Sequence, residues 1–429
     1  MGKVTDRLKK RLVERIVLHK EFRSYSHALR RIAPAAPQTQ KSLVIIPCAP
    51  DSVIGSRGDE AMIVASIQNF RRSAGTEAPV TIICSDSFSN PGWSWLQQRY
   101  NVSLSKIWNG PYPVGKVVDE VVKLQPSEIY ILGADCMDGH YSPYISFELL
   151  ALYTILRKKQ YRTSLLGFSY NNHPHRLLNR LFRKIGKDVP FNLRDSISLE
   201  HFRQHTRLSN TRLVADAAFM LVPASQSEAA SRYKTKIDAL RKNGATVVLA
   251  FNLHPMLRKE QTQQELAEYA RAMSSRFQEL LLKHPNLGIV LLPHDDRKRI
   301  SDNYMLAGMY EQLSQEFAQR VIYDSQVYRA EEIKGFLNQF DGVISSRMHL
   351  AIAALGMEVP VMTSEYQDKF RGLFSHFNYP EKYLLTPEEF SSSLFTRRVN
   401  EFIGELVELR EHIHAKLTDV MELSNFNFQ

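Results

Sequence analysis

The sequence predicts an α/β protein made of two doubly wound domains facing each other across a cleft. Three observations carry that expectation. Short, continuously apolar runs recur, as parallel strands covered on both faces require. Helical segments separate those runs, which is the alternation of an α/β sheet. The alternation breaks off near residues 222–230, at "VPASQSEAA", and then restarts.

The elements follow in order. "DRLKKRLVERIVLHKEFRSYSHALRR" (Asp6 to Arg31) holds nine Lys or Arg against three acids, and Leu8, Leu12, Val13, Ile16 and Val17 fall near helical spacing. It reads either as a basic surface helix resting on anionic headgroups or as a helix packed on a neighbouring domain or subunit. "RIAPAAPQTQK" is a Pro-punctuated linker, so residues 1–41 form an N-terminal helix and linker. Strands are expected at "SLVIIP", "VTIICS", "EIYILG", "RTSLLGFS" and "TRLVADAAF", with a helix over 142–159, giving a first domain over 42–222. The second, over 223–395, has strands at "ATVVLAFN", "LGIVLLPH", "RVIYD", "DGVIS" and "EVPVMT", and helices near 260–284, 301–318 and 330–339. A long amphipathic helix over 396–424 closes the chain within a segment 396–429.

Composition narrows the class. At 429 residues and 44% hydrophobic, the chain has ample material for two packed cores. Cys48, Cys84 and Cys136 are far apart, without CxxC spacing, so neither a disulfide framework nor a structural zinc site is indicated. No apolar run approaches the roughly 18 residues that span a bilayer, and no secretory apolar core opens the chain. A soluble cytoplasmic protein is expected, with peripheral contact at the inner membrane face if the basic helix binds lipid. The formal charge of +10 attracts anions of many kinds. Basic patches interleaved with aromatics and recognised nucleic-acid motifs are lacking, so no nucleic-acid partner is expected.

Chemistry concentrates where strands end. "DGVISSRMHLAIAALGMEVPVM" places Arg347 and His349 at the join of a strand and a helix, with Gly356 at the expected C-terminal cap. A helix start with unpaired N–H groups, a guanidinium and an imidazole suits a phosphate or carboxylate. The same residue pair could instead cap the helix or pair with Asp341 or Glu365. In "GSRGDEA", Gly55 and Gly58 permit a tight turn, and Asp59 and Glu60 open a helix. This is neither GxGxxG nor a P-loop, so nucleotide binding is unsupported. "LRDSIS" ends a strand on Arg194, a cation unsuited to a packed core, with Asp195 or Ser196 as a cap. "LLPHDD" brings His294 and two acids to a strand end without a second His at metal-ligand spacing, and His254 in "NLHP" is similar. "GADCMDG" offers Asp135 and Asp138, whose separation would decide any paired-carboxylate chemistry. There is no GxSxG.

Taken together, "GSRGDEA", "LRDSIS" with "DAAF", "PHDD", and the Arg347–His349 segment followed by "YQDK" resemble the polysaccharide pyruvyl transferase family, in the family's order and over roughly residues 43–380. The first motif departs from the family's frequent Asn-x-Gly-Asp. The resemblance implies two Rossmann-like domains of GT-B type, the first on the acceptor side and the second on the donor side. It implies an enzyme that moves the three-carbon unit of phosphoenolpyruvate onto two hydroxyls of one sugar, forming a pyruvate ketal in cell-surface glycan or exopolysaccharide. On that reading Arg347, Met348, Ser346 and Arg194 hold the donor. His349 protonates its methylene carbon, because only an imidazole titrates near neutrality. Asp59 or Glu60 acts as base, and His294 is the reserve acid or base. Arg57, Gly58, Asp59 and Asp135 meet the acceptor, free, nucleotide-linked or lipid-linked. Neither a metal nor a cofactor is required.

Two rivals remain open on the sequence. A GT-B glycosyltransferase with a nucleotide-sugar donor keeps the fold and changes the donor. A non-enzymatic polyanion-binding module would instead bind nucleic acid with a steep salt dependence.

Overall fold

The computed structural model describes residues 2–36, 38, 40–87, 92–109, 113–255, 262–295, 297, 301–365 and 369–429, with side chains described from Ile16 onward. Leu8, Leu12, Val13, Asp296 and the Tyr366–Asp368 part of "YQDK" therefore lie outside the described side chains or residues. The chain forms two compact units: Met1–Ile54, Met62–Ala217 and Asn425–Gln429 make the first, Gly55–Ala61 and Ala218–Ser424 the second.

In the first unit the strands are β1 (Leu43–Ile46), β2 (Val80–Cys84), β3 (Ser103–Lys106), β4 (Glu128–Ile131) and β5 (Thr163–Leu165). They pair in parallel in the order β3-β2-β1-β4-β5. Every residue of β1 and β4 is buried, as expected for central strands covered on both faces. Strand β3, "SLSK", is half-exposed at an edge and has no apolar run to announce it. The helices are α1 (Gly2–Arg31), α2 (Arg57–Ala74), α3 (Trp93–Tyr100), α4 (Val114–Leu124), α5 (Pro143–Lys158), α6 (Arg176–Ile185) and α7 (Ser196–Thr206). Residues Ser146 to Leu156 of α5 are all buried, which suits a helix apolar on every side. Helix α1 is no detached tail: Leu18, Tyr25, Ala28 and Ile32 are buried as it packs along α4 and α5.

"TRLVADAAF" was expected as one strand. It yields only β7 (Thr211–Leu213), paired in parallel with β6 (Phe191–Leu193) in a separate two-stranded sheet, then a 3-10 turn over Ala217–Met220. The reason lies in Asp216, whose carboxylate turns inward to Arg194 rather than continuing a ladder.

The second unit holds β8 (Val247–Asn252), β9 (Leu287–Leu291), β10 (Val321–Tyr323), β11 (Gly342–Ser345), β12 (Val361–Ser364) and β13 (Leu384–Leu385), parallel in the order β10-β9-β8-β11-β12-β13. Its helices are α8 (Glu228–Lys242), α9 (Gln263–Lys283), α10 (Asn303–Phe317), α11 (Ala330–Leu337), α12 (Met348–Leu355), α13 (Lys369–Phe377), α14 (Pro387–Phe390), α15 (Ser393–Gly404) and α16 (Leu406–Asn425). The single closing helix expected over 396–424 is two, broken at Glu405, whose carboxylate accepts from Lys382 and Tyr383.

In each sheet the strand order reverses once, between β1 and β4 and between β8 and β11. Ligands of open α/β sheets bind outside the strand carboxyl ends at such reversals. The loops after β8 and β11 carry His254, Arg347 and His349.

Candidate functional site at the second sheet's reversal

The turn from β11 into α12 is fixed by its own serines. Ser345 Oγ accepts from the Arg347 N–H at 2.9 Å and donates to the Arg347 carbonyl at 3.2 Å. Ser346 Oγ accepts from the His254 N–H at 2.6 Å, tying the β8 and β11 loops together. Ser346 is thus a buried brace, not a donor ligand in this arrangement.

Arg347 is likewise committed. Its Nη2 and Nε donate to Asp302 at 2.6 and 3.0 Å, and Nη1 donates to Asp295 at 3.1 Å. Asp302 is fully buried and also accepts from Asn252 Nδ2 at 2.8 Å and from the His294 and Asp295 N–H groups. Burial pushes the Asp302 carboxyl up, and Arg347 opposes that push. The open guanidinium clamp read from the sequence is therefore not what the fold builds. Arg347 is the centre of a buried ion-pair network that locks the ends of β8, β9 and β11. Asp295 is shared with Arg297, which grips it through Nη2 at 2.6 Å and Nε at 2.9 Å while its side chain stays 43% exposed.

Two buried histidines, His254 and His294, border the network. Burial, followed by Arg347, drives the pKa values of both His294 and His254 well below the usual histidine range. Burial thus disfavours the protonated form of His294 that a reserve acid needs. Met348 and His349, at the first turn of α12, are partly buried as residues, and the Nε2 of His349 is buried.

The "GSRGDEA" motif belongs to this second unit through Gly55–Ala61. Ser56 and Asp59 cap α2 reciprocally, Ser56 Oγ donating to Asp59 Oδ2 at 2.7 Å and accepting from the Asp59 N–H at 3.0 Å. Arg57 and Glu60 turn inward. Arg57 Nε donates to the Tyr328 carbonyl at 2.7 Å and Nη1 to Glu60 at 2.9 Å. Glu60, fully buried, also accepts from the Ala330 N–H at 2.7 Å and from Arg329. These two residues staple α2 to the start of α11, so neither meets a sugar hydroxyl, and Glu60 is closed to substrate as a base. Asp59 keeps partial exposure. Gly58 lies against the His349 ring: a Cβ there would sit 2.6 Å from Cε1 and nearer still to Nδ1. No side chain fits without displacing the imidazole.

Arg194 and Asp135 lie in the first unit. Arg194 is 3% exposed, pairs with Asp216 at 3.1 Å and donates to Ser169 Oγ at 2.6 Å. The expectation that a strand-end arginine suits no core is corrected by that buried carboxylate, and Arg194 is no open anion clamp. Asp195 caps α7 through the Ser198 N–H. Asp135 is partly exposed and accepts from Tyr141 Oη at 3.1 Å. Reading the sequence missed Asp302: it has no local motif, and only the order of β9, β8 and β11 brings it to Arg347.

Comparison with known proteins bears on the fold and the family. The fold is that of GT-B-type proteins. The chain aligns with the UDP-GlcNAc 2-epimerase of Neisseria meningitidis bound to UDP-GlcNAc (TM-score 0.52, 10% identity, 90% of this chain and 98% of that one). It aligns similarly with an α,α-trehalose-phosphate synthase (UDP-forming) from Burkholderia vietnamiensis (0.52, 13%, 91% and 98%) and with the UDP-GlcNAc 2-epimerase of Methanocaldococcus jannaschii (0.53, 11%, 84% and 92%). No curated protein matches the sequence significantly. Residues 57–368 match the family model described as polysaccharide pyruvyl transferase, and the chain belongs to that family.

Proposed function

We propose that this protein transfers the pyruvyl unit of phosphoenolpyruvate to two hydroxyls of one sugar, giving a pyruvate ketal and inorganic phosphate. The observation that carries the reading is the seat of His349: an imidazole at the reversal of the second sheet, pressed on Gly58 of the other motif, with its Nε2 buried in a residue that is only partly buried as a whole. Family membership supplies the substrate class, a sugar or polysaccharide acceptor.

His349 protonates the donor's methylene carbon, leaving an oxocarbenium-like centre at the carbon bearing the phosphate ester. One sugar hydroxyl adds there and loses its proton. Phosphate then departs, and the second hydroxyl closes the ketal, with its proton going to solvent or base. Asp59, partly exposed and next in sequence to the Gly58 that touches His349, is the candidate base. The donor's anionic groups meet the first-turn N–H groups of α12 next to Met348, with the exposed guanidinium of Arg297 at the same edge. Arg347 acts through Asp295 and Asp302, holding those loops in register.

The test incubates the full chain with phosphoenolpyruvate and candidate sugar acceptors, following phosphate release and the acceptor's mass. Phosphate release with ketal gain supports the reading. Turnover of a nucleotide sugar, with phosphoenolpyruvate inert, overturns it in favour of a glycosyltransferase.

A further inference from the structure

Helix α6 has a divided surface. Leu178, Phe182 and Ile185 are buried, while Arg176, Arg180, Arg183 and Lys184 are exposed, with Lys187 exposed just beyond. No acid lies within the helix. Asp188, which follows, is drawn to Lys158 at 3.5 Å. Helix α1 lies beside it: Lys184 Nζ sits 3.9 Å from the centre of the Phe22 ring. In this stretch α1 turns its acid, Glu21, inward and its cations Lys20 and Arg23 outward. The two helices meet at that contact, and each carries exposed cations there. Leu177 and Leu181, half-buried and one turn apart, sit among the α6 arginines.

We infer that this α1–α6 face docks the protein on a bilayer bearing anionic headgroups. The cations match the headgroup charge, and the interleaved leucines gain from the interfacial region, which a dissolved polyanion does not offer. Among the described residues no helix is long and apolar enough to cross a membrane, so the contact is peripheral. This inference stands apart from the proposed reaction and survives its failure.

The experiment sediments the full chain with vesicles of phosphatidylcholine containing phosphatidylglycerol, and with pure phosphatidylcholine. Binding is expected to the first alone and to fade as ionic strength rises and screening shortens to a few ångströms. The triple variant Arg180→Gln, Arg183→Gln, Lys184→Gln should lower partitioning on the order of a hundredfold, since each basic residue near the surface contributes about fivefold. Its far-UV circular dichroism and melting should match the wild type; if it fails to fold, Lys187→Gln alone should show the single-residue, roughly fivefold loss. Equal binding to pure phosphatidylcholine, or wild-type partitioning of the variants, overturns the inference. So does retention on nucleic acid or an acidic glycan without any vesicle binding.

Discussion

Each unit buries an arginine just past a strand's carboxyl end, and the two are used differently. Arg194 in the first unit meets Asp216 and Ser169 and is sealed, with only the α7 cap beyond it. Arg347 in the second meets Asp302 and Asp295, and two residues later the chain places an imidazole on Gly58 at the sheet's reversal. A strand-end arginine is therefore no ligand clamp by virtue of its position. What separates a structural ion pair from a site is what the pair holds up, and only the second holds up His349.

The sharpest break of that contrast is His349→Ala. Removing a general acid lowers turnover by about 10²–10⁴-fold. The ring packs on Gly58 with Nε2 buried, so turnover is compared per folded molecule, with the denaturant midpoint measured alongside. Equal activity of the variant in the phosphate-release assay would reduce His349 to a packing residue, like its counterparts in the first unit. Next come Asp302→Ala and Asp216→Ala. Asp216→Ala removes the buried carboxylate facing Arg194 and should destabilise its unit by about 3–5 kcal/mol in chemical denaturation, while Asp302→Ala leaves Arg347 its Asp295 partner and should cost somewhat less. The contrast predicts that turnover per folded molecule falls for Asp302→Ala and holds for Asp216→Ala, measured at a temperature where both remain folded.

Much of this was legible before the structure, for identifiable reasons. Strands β1, β4, β8, β9, β11 and β12 are buried on both faces and so spell apolar runs. Strand β3 is polar because it is an edge, and β13 has only two residues. The Gly58 and His349 segments stood out because both lie at strand-to-helix joins. Their contact did not, and neither did Asp302, since those pairings cross sheet order rather than sequence. Arg194 misled for the same reason: its partner Asp216 sat inside a run that read as a strand. The break at Glu405 depends on Lys382 and Tyr383, again distant in sequence.

Buried acids sharpen the comparison further. In the second unit Glu60 and Asp302 collect several donors each, whereas in the first Glu148 faces Glu21, with Trp108 donating to it, and has no paired cation among the described residues. Burial, then Glu21, push the Glu148 carboxyl up to about 8. The folded protein thus keeps a proton that the unfolded chain has released. Stability should fall as pH rises from the ordinary carboxyl range to about 8, by on the order of 5 kcal/mol, and stay level above. Glu148→Gln should flatten that slope in denaturant titrations across pH. An unchanged slope would assign the pH dependence to other groups.

The smallest effect carries a change of sign. Gly58 lies in the first turn of α2, where alanine would ordinarily stabilise by up to about 1 kcal/mol. Here the added methyl group meets the His349 ring, and overpacking of that kind costs about 1–3 kcal/mol. Gly58→Ala should therefore destabilise the wild type and, by displacing the imidazole, lower turnover as well. In a His349→Ala background the obstruction is gone, and the same substitution should become neutral or stabilising. A double-mutant cycle by chemical denaturation reads that coupling directly. Should Gly58→Ala cost the same in both backgrounds, the glycine serves the backbone of α2 and the two motifs are not coupled through the ring. Should the sign reverse, the absence of a side chain at 58 exists to seat the imidazole.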